Sequence, residues 1–268
     1  MLLKESVGGV PPAVLVRTLI EVFPNIPRRQ LWETLKEMAR AGEVSYVLRH
    51  GSTMISLGSG GLERLSDRIY LCSALGGGSR ELTAAAVCVR IASGAAFGTG
   101  DHPTTCLALR GVDRAVAALE QSKGLAATSA VDVGTGSGVL AISALLLGIA
   151  RAVGIDTDPV ACYEAQMNAR ENGVAARFDI IPGSVERLAT GPYDLVMANL
   201  RPPTLVALMP RLVALTSENG FLVLSGFRVG EQPSVENCLQ NRMRAVWREK
   251  DRDWAASIAH RKEYDSWG

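Results

Sequence analysis

One glycine-rich turn constrains the possible folds of this chain more than any other feature. A short apolar run over residues 130–133 includes the carboxylate Asp132, and a strongly apolar segment begins at Val139. Between them lie three alternating glycines, Gly134, Gly136 and Gly138. Glycine tolerates the positive φ angles of a tight turn and lets a ligand approach the backbone, and a helix that starts here directs its first N–H groups at an anion. The stretch therefore predicts a strand, a turn and a helix around a ligand site.

The spacing of these glycines narrows the class of ligand. A dinucleotide-binding loop has the pattern G-x-G-x-x-G, which would place its third glycine at position 139. Val139 occupies that position here, and the third glycine is Gly138. The resulting G-x-G-x-G resembles the cofactor loop of class I S-adenosylmethionine-dependent methyltransferases. A glycine-rich turn also occurs without any ligand, so the rest of the chain decides between the two interpretations.

Strands and helices alternate from residue 129 onward, which is typical of a doubly wound α/β sheet. Apolar runs predict strands over residues 130–133, 152–155, 178–181, 193–198 and 221–225. Helices are expected over residues 137–147, 159–172 and 235–239, and after Pro203. Two further strands, 243–249 and 254–260, are close enough in sequence to form an antiparallel hairpin at the sheet edge. The predicted fold class is α/β, with a Rossmann-like seven-stranded sheet that ends in this C-terminal hairpin.

Polar residues follow three of the predicted strands, where an open parallel sheet binds its ligands. Asp156 ends the second strand and can accept hydrogen bonds from both hydroxyls of a ribose. The alternative role, a helix cap, suits Asp158 better because a proline comes next. Ser184 follows the third strand and is placed to meet an adenine, although this segment also fits an ordinary turn. Asn199 ends the fourth strand.

A second distinctive stretch comes before the glycine loop. Residues 95–105 read A-A-F-G-T-G-D-H-P-T-T. They closely resemble the A-F-G-T-G-x-H-x-T-T pattern of the PrmA family, the ribosomal-protein methyltransferases, and the likeness covers roughly residues 88–262. The resemblance implies S-adenosylmethionine as cofactor and methyl transfer to a lysine side chain or an N-terminal amine of a ribosomal protein. The partner would be a macromolecule, with protein favoured over RNA.

The resemblance also implies which residues form the site. The family's cofactor positions correspond to Thr105, Gly134, Asp156 and Asn199, and the predicted cofactor site is completed by Phe97, Asp132, Gly136, Gly138 and Ser184. Asn199 is the predicted catalytic residue, since its side-chain oxygen can accept a hydrogen bond from the acceptor amine and orient it. Because the methyl donor is already activated, alignment supplies most of the catalysis. No strong general base is evident, and the candidates are Asp101 and His102, of which the histidine is more typical of a structural residue.

Two departures from the family pattern leave other functions open. Asn199 is followed by L-R-P-P-T, whereas the family has roughly N-I-L-A. The sequence is closer to the N-P-P-Y of methyltransferases that act on planar amides or nucleobase amines, but it lacks their aromatic residue. An RNA or nucleobase N-methyltransferase is therefore one alternative. A non-catalytic protein that senses the cofactor or binds nucleic acid is another, disfavoured because such a protein has no need of Asn199.

Residues 1–60 do not show the β-α-β pattern of the ferredoxin-like module that usually precedes this domain in the family. Two helices, beginning near Pro11 and Pro27, are followed by two β-like runs around Gly51, an order that resembles a winged helix-turn-helix. Such a module would bind a macromolecule, and the alternative is a small structural cap whose charges are solvated. Seven Lys and Arg against five Asp and Glu is a small excess for a nucleic-acid reader. The predicted domains are a winged-helix-like module over residues 1–60, a linker helix over 61–82 and a methyltransferase domain over 83–268.

Composition limits the remaining possibilities. A net charge of +1 requires neither nucleic acid nor an acidic membrane as partner. The five cysteines are scattered and stand apart from the three histidines, so we expect reduced thiols and no metal site. The longest apolar stretch, residues 139–150, is too short to span a bilayer, and no signal peptide is apparent. A cytoplasmic protein is the simplest interpretation.

Overall fold

A computed structural model of the chain describes residues 10–40, 44–49, 52–57, 62–72, 83, 85–92, 96–98, 102–188, 191–239 and 242–261. The chain forms two compact units. The first comprises residues 1–64 and 71–83, and the second comprises residues 65–70 and 84–268.

The first unit contains two helices and a hairpin around a small core of its own. Its elements are α1 (Pro12–Val22), α2 (Arg28–Arg40) and the antiparallel strands β1 (Val44–Arg49) and β2 (Ser52–Leu57). A proline opens α1, where the missing N–H costs little because first-turn N–H groups have no partner within a helix. The buried core consists of Val10, Leu15, Val16, Leu35, Val44 and Ile55. The helices and hairpin expected for this segment are therefore present.

The linker helix predicted over residues 61–82 is not formed in the part of that segment described by the structure. Residues 62–72 contain strands β3 (Leu62–Arg64) and β4 (Ile69–Cys72), and β5 (Val87–Val89) follows later. A buried bend precedes β4, in which the Ser66 hydroxyl donates to the Asp113 carboxylate at 2.7 Å and accepts from the Ile69 N–H at 3.0 Å. These side-chain bonds hold the chain in a bend, although the apolar residues here have a helical spacing. Residues 73–82 lie outside the described residues.

The second unit is built on a seven-stranded sheet. Its strands are β6 (Ser129–Val133), β7 (Arg151–Asp156), β8 (Phe178–Pro182), β9 (Tyr193–Asn199), β10 (Thr216–Arg228), β11 (Arg244–Asp251) and β12 (Trp254–His260). They lie in the order β11-β12-β10-β9-β6-β7-β8. Strands β10, β9, β6, β7 and β8 are parallel, whereas β12 is antiparallel to both β10 and β11. The carboxyl end of β6 therefore adjoins the carboxyl ends of β7 and β9.

Helices cover both faces of this sheet. They are α3 (Pro103–Lys123), α4 (Val139–Leu146), α5 (Pro159–Glu171), α6 (Pro202–Leu215) and α7 (Gln232–Asn237). On one face, Leu222 and Leu224 of β10 share a buried cluster with Leu205 of α6. Side chains alternate along a strand, so Val223 points to the opposite face, where a Cβ on Gly111 of α3 would lie 2.8 Å from its methyl group. None of the helices within the described ranges is long and apolar enough to cross a membrane.

The cysteines differ in part from the expectation of reduced thiols. Cys106, Cys162 and Cys238 are thiols, but Cys72 and Cys88 are disulfide-bonded. Two cysteines can be bridged only when their Cα atoms lie within about 7 Å. Spacing along the chain does not reveal that condition, because it depends on how separate strands are placed.

Candidate functional site

A cleft of about 820 Å³ lies at the carboxyl ends of the parallel strands in the second unit. Six of the nine residues predicted for the cofactor site line it, namely Phe97, Gly134, Gly136, Asp156, Ser184 and Asn199. They come from the ends of β6, β7 and β9 and from segments that follow β8 or precede α3. The parallel sheet therefore brings residues that are distant in sequence to one edge.

Hydrogen bonds to neighbouring parts of the protein hold the glycine loop. The N–H groups of Gly134 and Thr135 both donate to the Ile155 carbonyl, at 2.8 and 3.1 Å. The Gly136 N–H donates to the Asp156 carboxylate at 2.9 Å, and the next two N–H groups donate to backbone carbonyls. All five N–H groups of residues 134–138 are thus used within the protein. The expected anion site concerns the first N–H groups of α4, and of these the Ala141 N–H bonds to the Asp132 carboxyl of the protein itself.

The stretch before α3 lies directly against this loop. The Ser137 N–H donates to the Phe97 carbonyl at 2.9 Å, and the Ser137 hydroxyl donates to the Gly98 carbonyl at 2.8 Å. Gly136 has a φ of +55°, and a Cβ there would overlap the Phe97 carbonyl oxygen. Only glycine fits this position. The two distinctive stretches of the sequence are therefore two parts of one wall of the cleft.

Asp156 is positioned at the end of β7 by two backbone groups. One carboxylate oxygen accepts from the Gly136 N–H at 2.9 Å and the other accepts from the Asp158 N–H at 3.0 Å. A carboxylate offers about four acceptor sites, so both oxygens retain capacity for a hydroxyl group in the cleft. Asp158 itself accepts from the Val160 N–H at 2.8 Å and caps α5. Asp158 is therefore the N-terminal cap of α5, as its position before a proline predicts.

Asn199 ends β9 with a hydrogen-bond acceptor that the protein does not use. Its Oδ1 atom is buried and has no hydrogen-bond partner among the described residues. A buried polar atom left in that state costs about 1–3 kcal/mol. The backbone beside it is fixed, since the Leu200 N–H donates to the Ser225 carbonyl at 3.1 Å. An N–H donor that entered the cleft would satisfy this oxygen, so the geometry fits an amine or amide at this position.

Three of the predicted residues do not line the cleft. Thr105 and Asp132 are each 1% exposed, and each has a side-chain oxygen without a hydrogen-bond partner in the described part of the chain. Gly138 lies just before α4, and a Cβ there would lie 3.2 Å from both Ala165 and Phe178. Its position serves the packing of α5 and β8 against the loop. Cofactor contacts for these three residues stay predictions.

The buried carboxyl of Asp132 has an unusual proton affinity. Burial raises its pKa from the ordinary 3.8 to about 7. The hydrogen bond that the Thr135 hydroxyl donates to it, at 2.9 Å, opposes this shift, and the negative charge of Asp156 adds to it. Asp132 is therefore a proton-binding group beneath the loop.

His102 caps α3 and is not placed as a general base. The Thr104 N–H donates to its Nδ1 atom at 3.3 Å, and the Thr104 hydroxyl lies 2.8 Å from the same atom. When Nδ1 accepts, a neutral imidazole carries its proton on Nε2, and that nitrogen is then a donor. The other candidate base, Asp101, lies outside the described residues.

The cleft also contains residues that the sequence did not single out. Glu186, Arg201 and Trp254 line it. The Ser184 hydroxyl holds the pKa of the Glu186 carboxyl below its usual range by hydrogen bonding. No local motif marks Trp254, because only the pairing of β12 with β10 brings it to this edge. Within the described ranges, no three His, Cys, Asp or Glu side chains are grouped so that they could hold a metal ion.

The fold and the cleft together define a protein of the α/β methyltransferase class. A solved structure of ribosomal protein L11 methylase from Lactobacillus delbrueckii subsp. bulgaricus matches with a TM-score of 0.64 and 27% sequence identity. The match covers 75% of this chain and 99% of that one. The mainly parallel central sheet predicted from the sequence is confirmed.

The family follows from the sequence comparisons. The model of the family described as ribosomal protein L11 methyltransferase (PrmA) matches residues 63–262, and the chain belongs to this family. Ribosomal protein L11 methyltransferase of Xylella fastidiosa strain 9a5c is 42% identical over 165 residues, which are 60% of this chain and 49% of that protein. Its counterpart in Pelotomaculum thermopropionicum is 36% identical over 171 residues, 63% of this chain and 53% of that protein. The chain thus spans about half the length of the curated relatives it matches.

Proposed function

We propose that this protein is an S-adenosylmethionine-dependent N-methyltransferase that acts on an amine of a protein. The observation that carries the proposal is the unpaired, buried oxygen of Asn199, which shares one cleft with Asp156 and the glycine loop. The acceptor would be a lysine side chain or an N-terminal amine. Relatives named ribosomal protein L11 methyltransferase make ribosomal protein L11 the first acceptor to test.

The residues of the cleft fit this cofactor. Asp156 would accept hydrogen bonds from the two ribose hydroxyls, and Ser184 would lie beside the adenine. Gly134 lines the cleft, and its missing side chain makes room for the Leu200 side chain, which a Cβ there would overlap. Phe97, which is 55% exposed, would cover the ligand from the other side. When bound, S-adenosylmethionine supplies a methyl group on an activated sulfonium.

The protein's own contribution to the reaction is alignment of the acceptor. The Asn199 oxygen would accept a hydrogen bond from the amine and thereby orient its lone pair, and holding reactants in this way accounts for much of enzymatic rate enhancement. An ammonium group has no lone pair, so the acceptor must first lose a proton. Because Nδ1 of His102 is already used by the first turn of α3, we assign that proton to solvent at the open mouth of the cleft.

For the first unit we propose a winged-helix-like module that contacts the acceptor macromolecule. Its support is the order of two helices and a hairpin with a separate core. The exposed start of α2 carries Arg28 and Arg29, but Arg29 is paired with Glu33 at 2.9 Å, which favours a protein surface over phosphate groups. We further propose that this module spans residues 1–60 and the methyltransferase domain residues 83–268, including the β11–β12 hairpin. Because the proposed acceptor is a ribosomal protein, we also propose a cytoplasmic location.

The test is transfer of tritium from labelled S-adenosylmethionine into a cell lysate, with the label followed by protease and by ribonuclease. Release by protease alone is expected, whereas release by ribonuclease would establish RNA methylation instead. Asn199→Ala should leave the Kd of S-adenosylmethionine within about threefold and lower kcat about a hundredfold, since misplaced reactants can cost that much. Asn237→Ala, at the exposed end of α7, is the matched control. Unchanged turnover in Asn199→Ala would exclude the role given to this residue.

A further inference from the structure

One aromatic residue reaches the cleft from the far end of the chain. Trp254 begins β12, is half-buried and lines the cleft. In the sheet, Asn199 pairs with Ser225 of β10, and Ser225 pairs with Ala256 of β12. Two strand spacings of about 4.8 Å each separate the backbones at this level. Trp254 pairs with Arg228, the last residue of β10, and so lies beyond the level at which β9 ends at Asn199. Both Trp254 and Asn199 line the same cleft.

Trp254 is the last member of an aromatic wall formed with Phe97 and His102. The Trp254 and His102 ring centroids are 5.0 Å apart at an interplanar angle of 68°, an edge-on contact. His102 and Phe97 follow at 5.3 Å and 58°. The His102 ring in the middle is also held by the cap of α3. The aromatic wall therefore offers an apolar surface in the same cleft as the Asn199 oxygen.

Arg228 covers one face of Trp254. Its guanidinium carbon lies 4.9 Å from the centre of the indole ring, and its Nη1 atom lies 3.6 Å from the Asp253 carboxylate. The turn between β11 and β12 is fixed as well, since the Val229 N–H donates to the carbonyl of Asp253 in that turn at 2.9 Å. Arg228 itself is not among the residues that line the cleft, so the guanidinium and its attraction to the ring hold the indole from outside the cleft. An aliphatic chain needs only apolar contact along the remaining ring surface.

We propose that Trp254 is a specificity-determining residue that holds the aliphatic chain of the acceptor amine in the cleft that also contains Asn199. The inference rests on the proposed function and deepens it. The site then takes an amine at the end of a flexible apolar stem. The role proposed for Trp254 also explains why no aromatic residue is needed directly after Asn199, since β12 supplies one from another part of the sheet.

The experiment compares two tryptophans of the same hairpin. Trp247 of β11 also lies under a guanidinium, with Arg114 at 5.6 Å, but it does not line the cleft. Trp254→Leu and Trp247→Leu are assayed with ribosomal protein L11 as acceptor and with S-adenosylhomocysteine as binding probe. Trp254→Leu should raise the KM for L11 about tenfold, the effect of losing one apolar side-chain contact, and Trp247→Leu should leave it within about twofold. Trp254→Phe, which keeps a ring, should restore most of the loss.

The outcomes separate this inference from the proposed function. An equal rise in KM for both leucine variants, or a rise in Trp254→Leu matched by an equal loss of S-adenosylhomocysteine affinity, would overturn the role of Trp254. Loss of folding in Trp254→Leu leaves an Arg228→Gln variant, which removes the contact that holds the indole and should raise the KM for L11 without changing the affinity for S-adenosylhomocysteine. An unchanged KM for L11 in Arg228→Gln would count against a positioned Trp254. Only a wild-type protein that methylates no protein at all would count against the proposed function itself.

Discussion

Replacement of Asp156 by asparagine is a change of almost no volume whose effect can be worked out from the hydrogen bonds. The carboxylate accepts one backbone N–H on each oxygen, from Gly136 at 2.9 Å and from Asp158 at 3.0 Å. Asparagine keeps one acceptor and turns an N–H₂ group toward the other donor. Hydrogen bonds to a charged group contribute about 1.5–3 kcal/mol each. Asp156→Asn should therefore destabilise the loop and also weaken the binding of a ligand that carries two neighbouring hydroxyl groups.

The expected loss in S-adenosylmethionine affinity is about 1.5–3 kcal/mol, or roughly ten- to a hundredfold in Kd. Isothermal titration measures the affinity, and urea denaturation measures the accompanying fall in the free energy of unfolding. Asp158→Asn is the matched control, because that carboxylate makes one cap bond to Val160 and asparagine caps helices equally well. Equal affinities of Asp156→Asn and Asp158→Asn would refute the role given to Asp156.

Two further substitutions test how the glycine loop is supported by the residues around it. The folded protein keeps the Asp132 proton up to about pH 7, whereas the unfolded chain releases it near its ordinary pKa of 3.8, so this group's contribution to stability falls as the pH rises from about 4 to about 7. Asp132→Asn should remove this pH dependence and raise the free energy of unfolding at pH 8 by as much as ~4 kcal/mol. Urea titrations that show the same pH dependence in wild type and variant would contradict the assignment. Gly136→Ala should cost more stability than Gly173→Ala in thermal melts, because both glycines have positive φ but only the first meets another group, the Phe97 carbonyl; equal costs would show that this contact is unimportant.

The sequence predicts the sheet well because apolar runs mark its strands, and it predicts part of the site because polar residues end two of them. Asp156 and Asn199 end strands β7 and β9 where apolar runs give way to polar residues. The parallel arrangement then places these ends together without further information. The likeness of residues 96–105 to the PrmA pattern is confirmed by the family match. The hydrogen bonds between Phe97, Gly98 and Ser137 supply its physical reason.

Other features depend on contacts that no local pattern contains. Residues 62–72 have a helical spacing of apolar residues, yet Ser66 bonds to Asp113, which lies 47 residues away, and bends the chain. The loop N–H groups look available in the sequence, but the Ile155 carbonyl takes two of them. Trp254 enters the cleft only through the antiparallel pairing of β12 with β10. In each case a partner distant in sequence decides the outcome.

Whether this cleft transfers a methyl group to a protein amine is tested most directly by the intact mass of purified ribosomal protein L11. The acceptor is incubated with the protein and S-adenosylmethionine, and peptide mapping then locates any added mass. We predict a gain of whole methyl increments on an amine nitrogen, absent when Asn199→Ala replaces the wild type. An unchanged mass of L11, and of every other protein offered, in the presence of bound S-adenosylmethionine would contradict the account.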